Sequence, residues 1–209
     1  IKKKINRLDF IGIYKKKYLG PKYKRLKIFN KNSFKTKGIK LVEKYEKIVF
    51  INFAARRDEN LFVNSKIKNI KNTIDDNILS TLDLLKNILR TMISKKYGRI
   101  IFISSSNAEN GSVGNIAYAI SKSSLVGLSN TISKEYSKFN ITSNIISLGY
   151  FETKMWESLK INVKKELLKN TLHSKLGKAN VVIDAIDLII KHSFINMSKM
   201  YIDGGNLGR

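Results

Sequence analysis

Residues 99–122 read R-I-I-F-I-S-S-S-N-A-E-N-G-S-V-G-N-I-A-Y-A-I-S-K, and this stretch decides the fold class. The short apolar run at 100–103, rich in β-branched residues, is typical of a buried parallel strand. Three serines follow it, then a loop with Gly111 and Gly114, then a helix that opens near Tyr118. In an open α/β sheet, ligands bind at the carboxyl ends of the strands. The serines are therefore predicted to lie where chemistry takes place.

Tyr118 and Lys122 stand four residues apart, so one face of the predicted helix carries both side chains. An ammonium beside a phenol favours the phenolate form. A tyrosine in that setting is usable as a general acid or base near neutral pH. For this pair taken alone, an amphipathic helix with a surface lysine is the alternative interpretation.

The segments around this pair resemble a known family. Together with Ser105, which stands 13 residues before Tyr118, the pair resembles the active site of the short-chain dehydrogenase/reductase family. G-R-I-I-F-I-S-S is similar to the family's fifth strand, and Y-A-I-S-K-S-S-L-V-G-L-S to its catalytic helix. N-I-T-S-N-I-I-S-L-G-Y-F-E-T-K-M resembles its sixth strand and the cofactor loop, and M-Y-I-D-G-G its last strand.

The resemblance implies an α/β fold: a Rossmann-like three-layer sandwich with a parallel sheet, formed by residues 1–209 as one N-terminally truncated domain. The family begins with a strand and a T-G-x-x-x-G-x-G turn, which brings the cofactor pyrophosphate to a helix N-terminus. No such turn occurs in the 209 residues. If residues 9–14 are the family's second strand, the missing central strand is expected to leave a gap in the sheet. The D-G-G segment near the end implies a complete C-terminus.

Hydrophobic periodicity and turn signals predict the remaining elements. The predicted strands are 9–14, 26–29, 48–53, 99–103, 141–147 and 199–202, and the predicted helices are 34–47, 74–95 and 118–138. Residues 154–178 are expected to form a lid over the substrate, since they carry Met155, Trp156 and Leu159. An amphipathic surface helix is the alternative for that segment.

The resemblance also implies roles for particular residues. Ser105 would hydrogen-bond the substrate carbonyl, Tyr118 would donate a proton, and Lys122 would assist the tyrosine and hold the cofactor ribose. Asn77, 28 residues before Ser105, would anchor a proton-relay water, or it is simply a polar residue near a helix start. The residues implied to bind the cofactor are Lys15, Asn30, Asn52, Ala54, Tyr118, Lys122, Gly149, Phe151 and Thr153.

Several positions depart from the family's pattern. The family's N-N-A-G reads Asn52-Phe53-Ala54-Ala55 here, and Leu148 replaces the proline of P-G-x-x-x-T. Glycine at the fourth position allows the backbone to approach the cofactor closely, so alanine there narrows the space. Together with the absent glycine-rich turn, these departures support an alternative hypothesis: a non-catalytic or fragmentary remnant that does not bind a dinucleotide.

Cofactor and substrate are expected as follows. Tyr14-Lys15-Lys16-Lys17 follows the predicted second strand, where an NAD enzyme usually has an acidic residue. Cations suit a 2′-phosphate, so NADP(H) is favoured over NAD(H). The subfamily that the motifs resemble most implies that the protein reduces a ketone. That ketone would be a small molecule or a 3-oxoacyl thioester of acyl carrier protein. The resemblance also implies a homo-oligomer, a dimer or a tetramer, because the family's two long helices often pair across an axis. Ordinary core packing of these helices is the alternative.

Composition limits the remaining classes. The net charge of +24 raises the possibility of a basic nucleic-acid-binding module, but the lysines are spread along the whole chain among many Ile and Asn residues. We therefore expect no specific nucleic-acid partner. There is no cysteine and only two distant histidines, which predicts no metal site. No apolar run reaches the roughly 20 residues of a membrane span, so no membrane contact and a cytoplasmic location are expected.

Overall fold

The structure, a computed structural model that describes residues 10–14, 26–30, 33–157 and 159–206, is built on parallel β-sheet. The strands are β1 (Phe10–Tyr14), β2 (Leu26–Asn30), β3 (Val49–Asn52), β4 (Gly98–Ser105), β5 (Ile141–Leu148) and β6 (Lys199–Ile202). Strands β3 to β6 form one sheet in the order β3-β4-β5-β6, and every neighbouring pair is parallel. All four strands therefore end at the same edge.

Helices flank this sheet. They are α1 (Ile39–Val42), α2 (Ile67–Ile74), α3 (Ser80–Lys95), α4 (Asn107–Asn110), α5 (Ile116–Tyr136), α6 (Lys154–Glu157), α7 (Ile161–Lys169) and α8 (Ala179–Lys191). Two buried clusters show the layers. Ile100 and Phe102 of β4 pack with α3 and α5, whereas Ile101 and Ile103 pack with α8. Since successive strand residues face opposite sides, the apolar run of β4 fills both clusters, and the predicted three-layer α/β fold is confirmed.

Strands β1 and β2 form a separate parallel pair, in register from Phe10 opposite Leu26 to Tyr14 opposite Asn30. Among the residues that the structure describes, no ladder joins this pair to the four-stranded sheet. The separation agrees with the expected break in the sheet. Both strands lie within a residue of their predicted bounds.

The structure corrects several predicted boundaries. Strand β4 continues past 103, because Ser104 and Ser105 still pair with β5. The helix predicted at 34–47 is a π-helical turn, Phe34–Gly38, followed by α1, which ends at Val42. The residues after Val42 are mostly charged and exposed, so they add little apolar surface that would extend the helix over the core.

The helix predicted at 74–95 begins earlier. Helix α2, a π-helical turn at Asp75–Leu79 and helix α3 follow one another without a break. Asn77 therefore lies inside a long helical run, not near a helix start. Helix α5 begins at Ile116, two residues before the predicted start. In the described part of the chain, no helix combines the length and apolarity needed to cross a bilayer.

The packing of α5 predicts a stability difference between two leucines. Leu125 of α5 is 1% exposed, whereas Leu188 of α8 is 43% exposed. Leu125→Ala should lower the free energy of unfolding by about 2–5 kcal/mol, because it leaves a cavity in the core. Leu188→Ala makes the same chemical change on a surface and should cost well under half as much. Urea unfolding midpoints measure both variants, and equal losses would contradict the packing described here.

Candidate active site

Lys122 connects three elements at the carboxyl edge of the sheet. It lies on α5 and is 2% exposed. Its amine donates hydrogen bonds to the carbonyl oxygens of Ala54, just after β3, at 2.8 Å and of Ile103, within β4, at 2.7 Å. An ammonium has three N–H donors, so one donor of Lys122 remains available to a ligand. The side chain thus fixes α5 to the ends of two adjacent strands.

Two cations lie near the ring of Tyr118. Its side chain is 6% exposed, one helical turn before Lys122. The Lys122 Nζ atom lies 5.8 Å from the centre of the Tyr118 ring, and the guanidinium carbon of Arg57 lies 4.7 Å from it. Both distances are within the range of cation–π interactions.

Asn77 occupies the π-helical turn between α2 and α3 and is fully buried. Its Oδ1 atom accepts a hydrogen bond from the Arg56 N–H at 2.6 Å, and its Nδ2 atom donates to the Arg56 carbonyl at 3.0 Å. The same Nδ2 atom donates to Ser121 Oγ at 2.9 Å. Such π turns often occur at functional sites. Asn77 therefore holds the loop after β3 against α5, close to Lys122.

Ser105 is the last residue of β4 and is buried at the same edge. It stands two residues after Ile103, which accepts the Lys122 hydrogen bond. The serines on either side have structural partners. Ser104 donates to the Lys122 carbonyl at 3.4 Å, and Ser106 accepts from Asn206 at 2.9 Å. The structure thus brings Tyr118, Lys122 and Asn77 into one connected cluster and places Ser105 on the strand to which that cluster is bonded.

The residues at the end of β3 fit a nicotinamide-type ligand. Asn52 is buried, and its Oδ1 atom accepts the Ala54 N–H at 3.0 Å. Its Nδ2 atom is also buried, and within the described residues it has no hydrogen-bond partner. An unpaired buried donor at a ligand-binding edge is suited to an acceptor on a bound molecule. With the third donor of Lys122, Asn52 could hold polar groups of a cofactor.

Three other residues predicted to bind the cofactor come after β5. Gly149 follows β5, and a Cβ atom there would lie 2.6 Å from the Asp203 backbone, so only glycine fits that approach. Phe151 forms a β-bridge with Gly177. Thr153 is exposed, and its hydroxyl accepts the Trp156 N–H at 3.2 Å.

Two of the predicted cofactor contacts cannot be followed as side chains. Lys15 lies outside the described residues. Asn30 is the last residue of β2, and only its backbone is described. The roles assigned to both residues stay predictions.

The charge of Lys122 is perturbed by its surroundings. Burial and, to a lesser extent, the nearby positive charge of Arg57 together lower the pKa of Lys122 from 10.5 to about 8. Burial raises the pKa of Tyr150, while the charge of Arg57 opposes that rise. Arg57 is therefore close enough to act on both residues.

Sequence reasoning missed Arg57 and Ser121. Ser121 contacts Asn77 across 44 positions of sequence, a separation that no local pattern reveals. Arg57 had a usable signal, because two adjacent arginines follow a predicted strand end. Only the structure separates their roles: Arg56 forms an ion pair with Asp76 at 2.9 Å, whereas Arg57 lies over Tyr118.

Comparison with known proteins agrees with this geometry. A family model described as short chain dehydrogenase matches residues 30–164. The chain belongs to the short-chain dehydrogenase/reductase family. That family consists of oxidoreductases that use a nicotinamide dinucleotide and act on small carbonyl compounds.

Individual relatives are similar over much of the chain. The 3-oxoacyl-[acyl-carrier-protein] reductase FabG of Buchnera aphidicola subsp. Acyrthosiphon pisum is 33% identical over 75% of this chain and 65% of that protein. FabG of Haemophilus influenzae is 29% identical over 90% of this chain and 80% of that protein. The chain therefore spans about two thirds of the Buchnera protein.

Solved structures support the fold. The crystal structure of a candidate gluconate dehydrogenase from Agrobacterium tumefaciens superposes with a TM-score of 0.81 at 19% identity. The match covers 88% of this chain and 76% of that one. At this identity the match supports the short-chain dehydrogenase/reductase fold alone.

The burial of Lys122 predicts a pH-dependent stability. The folded protein loses the Lys122 proton near pH 8, whereas the unfolded chain keeps it to about pH 10.5. Between these values the unfolded chain binds more protons, so this group makes the free energy of unfolding rise with pH. The rise should amount to about 3 kcal/mol in the wild type and be absent in Lys122→Met.

Urea unfolding at intervals from pH 7 to pH 10.5 measures this effect. Lys122→Met also loses two hydrogen bonds. That loss lowers the free energy of unfolding by a similar amount at every pH, so it does not change how the free energy varies with pH. Lys86→Met, which removes an exposed lysine of α3, is the control and should keep the wild-type slope. If the free energy of unfolding of Lys122→Met rose with pH in parallel with that of the wild type, a lowered pKa for Lys122 would be contradicted.

Proposed function

We propose that the chain carries the catalytic residues of an NADP(H)-dependent oxidoreductase that reduces a ketone to an alcohol. The observation that supports this most is the position of Lys122. Its amine is fixed by two backbone carbonyls at the carboxyl edge of the sheet, 5.8 Å from the ring of the buried Tyr118. A general acid must be held where the substrate binds, and this arrangement supports that role for Tyr118.

The proposed reaction needs one proton and one hydride. When bound, the nicotinamide dinucleotide supplies the hydride to the carbonyl carbon. Ser105 would donate a hydrogen bond to the substrate oxygen, and Tyr118 would transfer its hydroxyl proton to that oxygen, so that the C=O group becomes CH–OH. Lys122, one helical turn from Tyr118, would stabilise the phenolate left behind. Lys122 would use its remaining N–H donor for a hydroxyl of the ligand.

Asn77 has a different proposed role. Its side-chain oxygen and nitrogen already contact Arg56 and Ser121, so we assign it to positioning of the loop after β3. Through this contact it would keep the Ala54 carbonyl in place for Lys122. A relay water beside the lysine would then have to be held by groups other than the Asn77 side chain.

The proposed substrate is a 3-oxoacyl thioester of acyl carrier protein. The FabG relatives support this, although at about 30% identity. Tyr150 and Trp156, whose ring centres are 5.9 Å apart, form an aromatic pair near the start of the segment that is proposed to cover the substrate. Exposed apolar residues on the long helices, including Leu79 and Ile120, support a homo-oligomer formed through these helices.

The choice of NADP(H) over NAD(H) rests on sequence. Strand β1 ends at Tyr14, and three lysines follow it. Cations in that position suit the 2′-phosphate of NADP(H), and the residues expected to contact it, Lys15 and Asn30, belong to this part of the chain.

A non-catalytic remnant is the second candidate function. The 209 residues contain no glycine-rich turn for the pyrophosphate, and Phe53, at the position of the family's second asparagine, is 60% exposed. Such a chain keeps the geometry of the catalytic residues by descent and lacks the dinucleotide site. Activity measurements separate the two functions.

We predict that the 209-residue polypeptide alone binds NADPH weakly, because backbone N–H groups at a glycine-rich turn provide much of the affinity for the pyrophosphate. A variant extended at its N-terminus with a strand and a T-G-x-x-x-G-x-G turn should bind NADPH tightly. Fluorescence titration with NADPH measures both proteins. Tight binding by the 209-residue polypeptide would show that another element holds the phosphates, and weak binding by the extended protein would favour the remnant.

In the extended protein, Tyr118→Phe should lower kcat for a 3-oxoacyl thioester by at least about 10²–10⁴-fold, because it removes the proton donor. NADPH binding should stay within a factor of two or three. Tyr136→Phe makes the same change on the same helix, away from the site, and should leave kcat unchanged. NADPH oxidation at 340 nm is the assay. Unimpaired turnover by Tyr118→Phe would remove Tyr118 from the mechanism.

A further inference from the structure

Arg57 projects into the site without a role in the mechanism above. It lies in the loop after β3, and its guanidinium carbon is 4.7 Å from the centre of the Tyr118 ring. Its charge also acts on Tyr150 and Lys122. Arg57 is therefore adjacent to the proposed proton donor and close enough to Tyr150 for its charge to act there.

The hydrogen-bonding capacity of Arg57 is unused within residues 33–157 and 159–206. The nearest carboxylate oxygen, Glu59 Oε1, is 3.9 Å from Arg57 Nη1, too far for a hydrogen bond. Only 27% of the Arg57 side chain is exposed. The neighbouring Arg56, in contrast, donates to Asp76 at 2.9 Å. A contact with an aromatic ring consumes no N–H group, so Arg57 keeps its donors available for an oxygen acceptor.

We propose that Arg57 binds a second oxygen atom of the substrate and thereby selects 3-oxo compounds, in which a carbonyl or carboxylate carbon lies two positions from the ketone. This inference rests on the proposed function and specifies its substrate class. The ketone oxygen meets Tyr118, and the neighbouring oxygen meets the guanidinium beside that ring. An acceptor in the distant part of a carrier-bound chain does not fit, because Arg57 lies against the reacting group itself.

The N–H donors of Arg57 match the oxygen acceptors of a 3-oxo substrate. A guanidinium presents donors in a fixed planar fork, and carbonyl or carboxylate oxygens accept them in that plane. A simple ketone leaves the fork without an acceptor. A site with donors for a missing group discriminates strongly against substrates that lack it. A thioester carbonyl and a free carboxylate both satisfy the fork, and the carboxylate forms the stronger, charge-assisted bond.

The test compares three substrates: an acetoacetyl thioester, acetoacetate, and 2-pentanone, which has no second oxygen. Arg57→Gln should lower kcat/KM for the two 3-oxo substrates by about 10- to 100-fold. Its effect on 2-pentanone should be within about threefold. Arg57→Lys, which keeps the charge without the fork, should give an intermediate loss. A larger loss for acetoacetate than for the thioester would identify a carboxylate as the natural acceptor, and the reverse would identify the thioester.

Arg90→Gln is the matched control, since Arg90 is an exposed arginine of α3 and the substitution removes the same charge. It should leave all three values unchanged. An equal loss for all substrates on Arg57→Gln would mean that Arg57 acts through Tyr118 and would overturn the proposal. No loss for any substrate would overturn it as well.

A binding measurement decides the proposal even if no ketone is reduced. Trp156 is the only tryptophan of the chain and lies beside Tyr150, so its fluorescence reports on the site. Acetoacetyl thioester should change this signal in the wild type and in Arg90→Gln, with at least about tenfold weaker binding to Arg57→Gln. The inference would be overturned if the thioester did not bind, or if it bound Arg57→Gln as tightly as the wild type. If binding depends on Arg57 but no ketone is reduced, the proposed reaction is rejected and the proposed role of Arg57 stands.

Discussion

The site depends on one contact, the ammonium of Lys122 between the carbonyl oxygens of Ala54 and Ile103. A buried charge is costly unless polar groups surround it, and two charge-assisted hydrogen bonds offset much of that cost. Because one acceptor follows β3 and the other lies in β4, the contact also sets the position of α5. Tyr118, one turn earlier, is placed as a consequence.

Both acceptors are backbone atoms, and this explains why departures from the family pattern leave the geometry intact. Phe53 and Ala55 replace an asparagine and a glycine on either side of Ala54. The side chain of Phe53 is largely exposed, so it does not displace the Ala54 carbonyl. Asn77 fixes the same loop from the other side through the N–H and carbonyl of Arg56. Substitutions in this loop therefore change what a ligand meets more than they change where Lys122 lies.

The fold was predictable from sequence because its main signal is local. The apolar run of β4 is buried on both faces, which is what a central parallel strand requires, and the helices that flank it have regular apolar spacing. The pair of Tyr118 and Lys122 was predictable for the same reason, since helical spacing alone puts them on one face.

What the sequence did not reveal depends on contacts between distant segments. The π-helical turn at Asn77 is accompanied by hydrogen bonds to Arg56 and Ser121, and neither separation has a sequence signature. The end of the first helix at Val42 was also missed, because periodicity does not measure how much apolar surface the core still accepts. Boundaries and cross-element partners are thus set by packing, not by local pattern.

Because the chain is strongly basic, the evidence for a role of Arg57 lies in its position. With 40 basic and 16 acidic residues, most cations of this chain must lack a carboxylate partner, so an unpaired lysine or arginine carries little information by itself. The acidic residues that pair do so mainly at exposed positions, as in the pairs Lys95–Glu46 and Lys191–Asp187, where each contributes about 0–1 kcal/mol. Arg57 differs in position: about three quarters of its side chain is covered, and its guanidinium lies 4.7 Å from the centre of the Tyr118 ring. A solvated surface cation has water as its acceptor, whereas the covered guanidinium of Arg57 meets less water, and this is what makes it suited to the substrate contact proposed above.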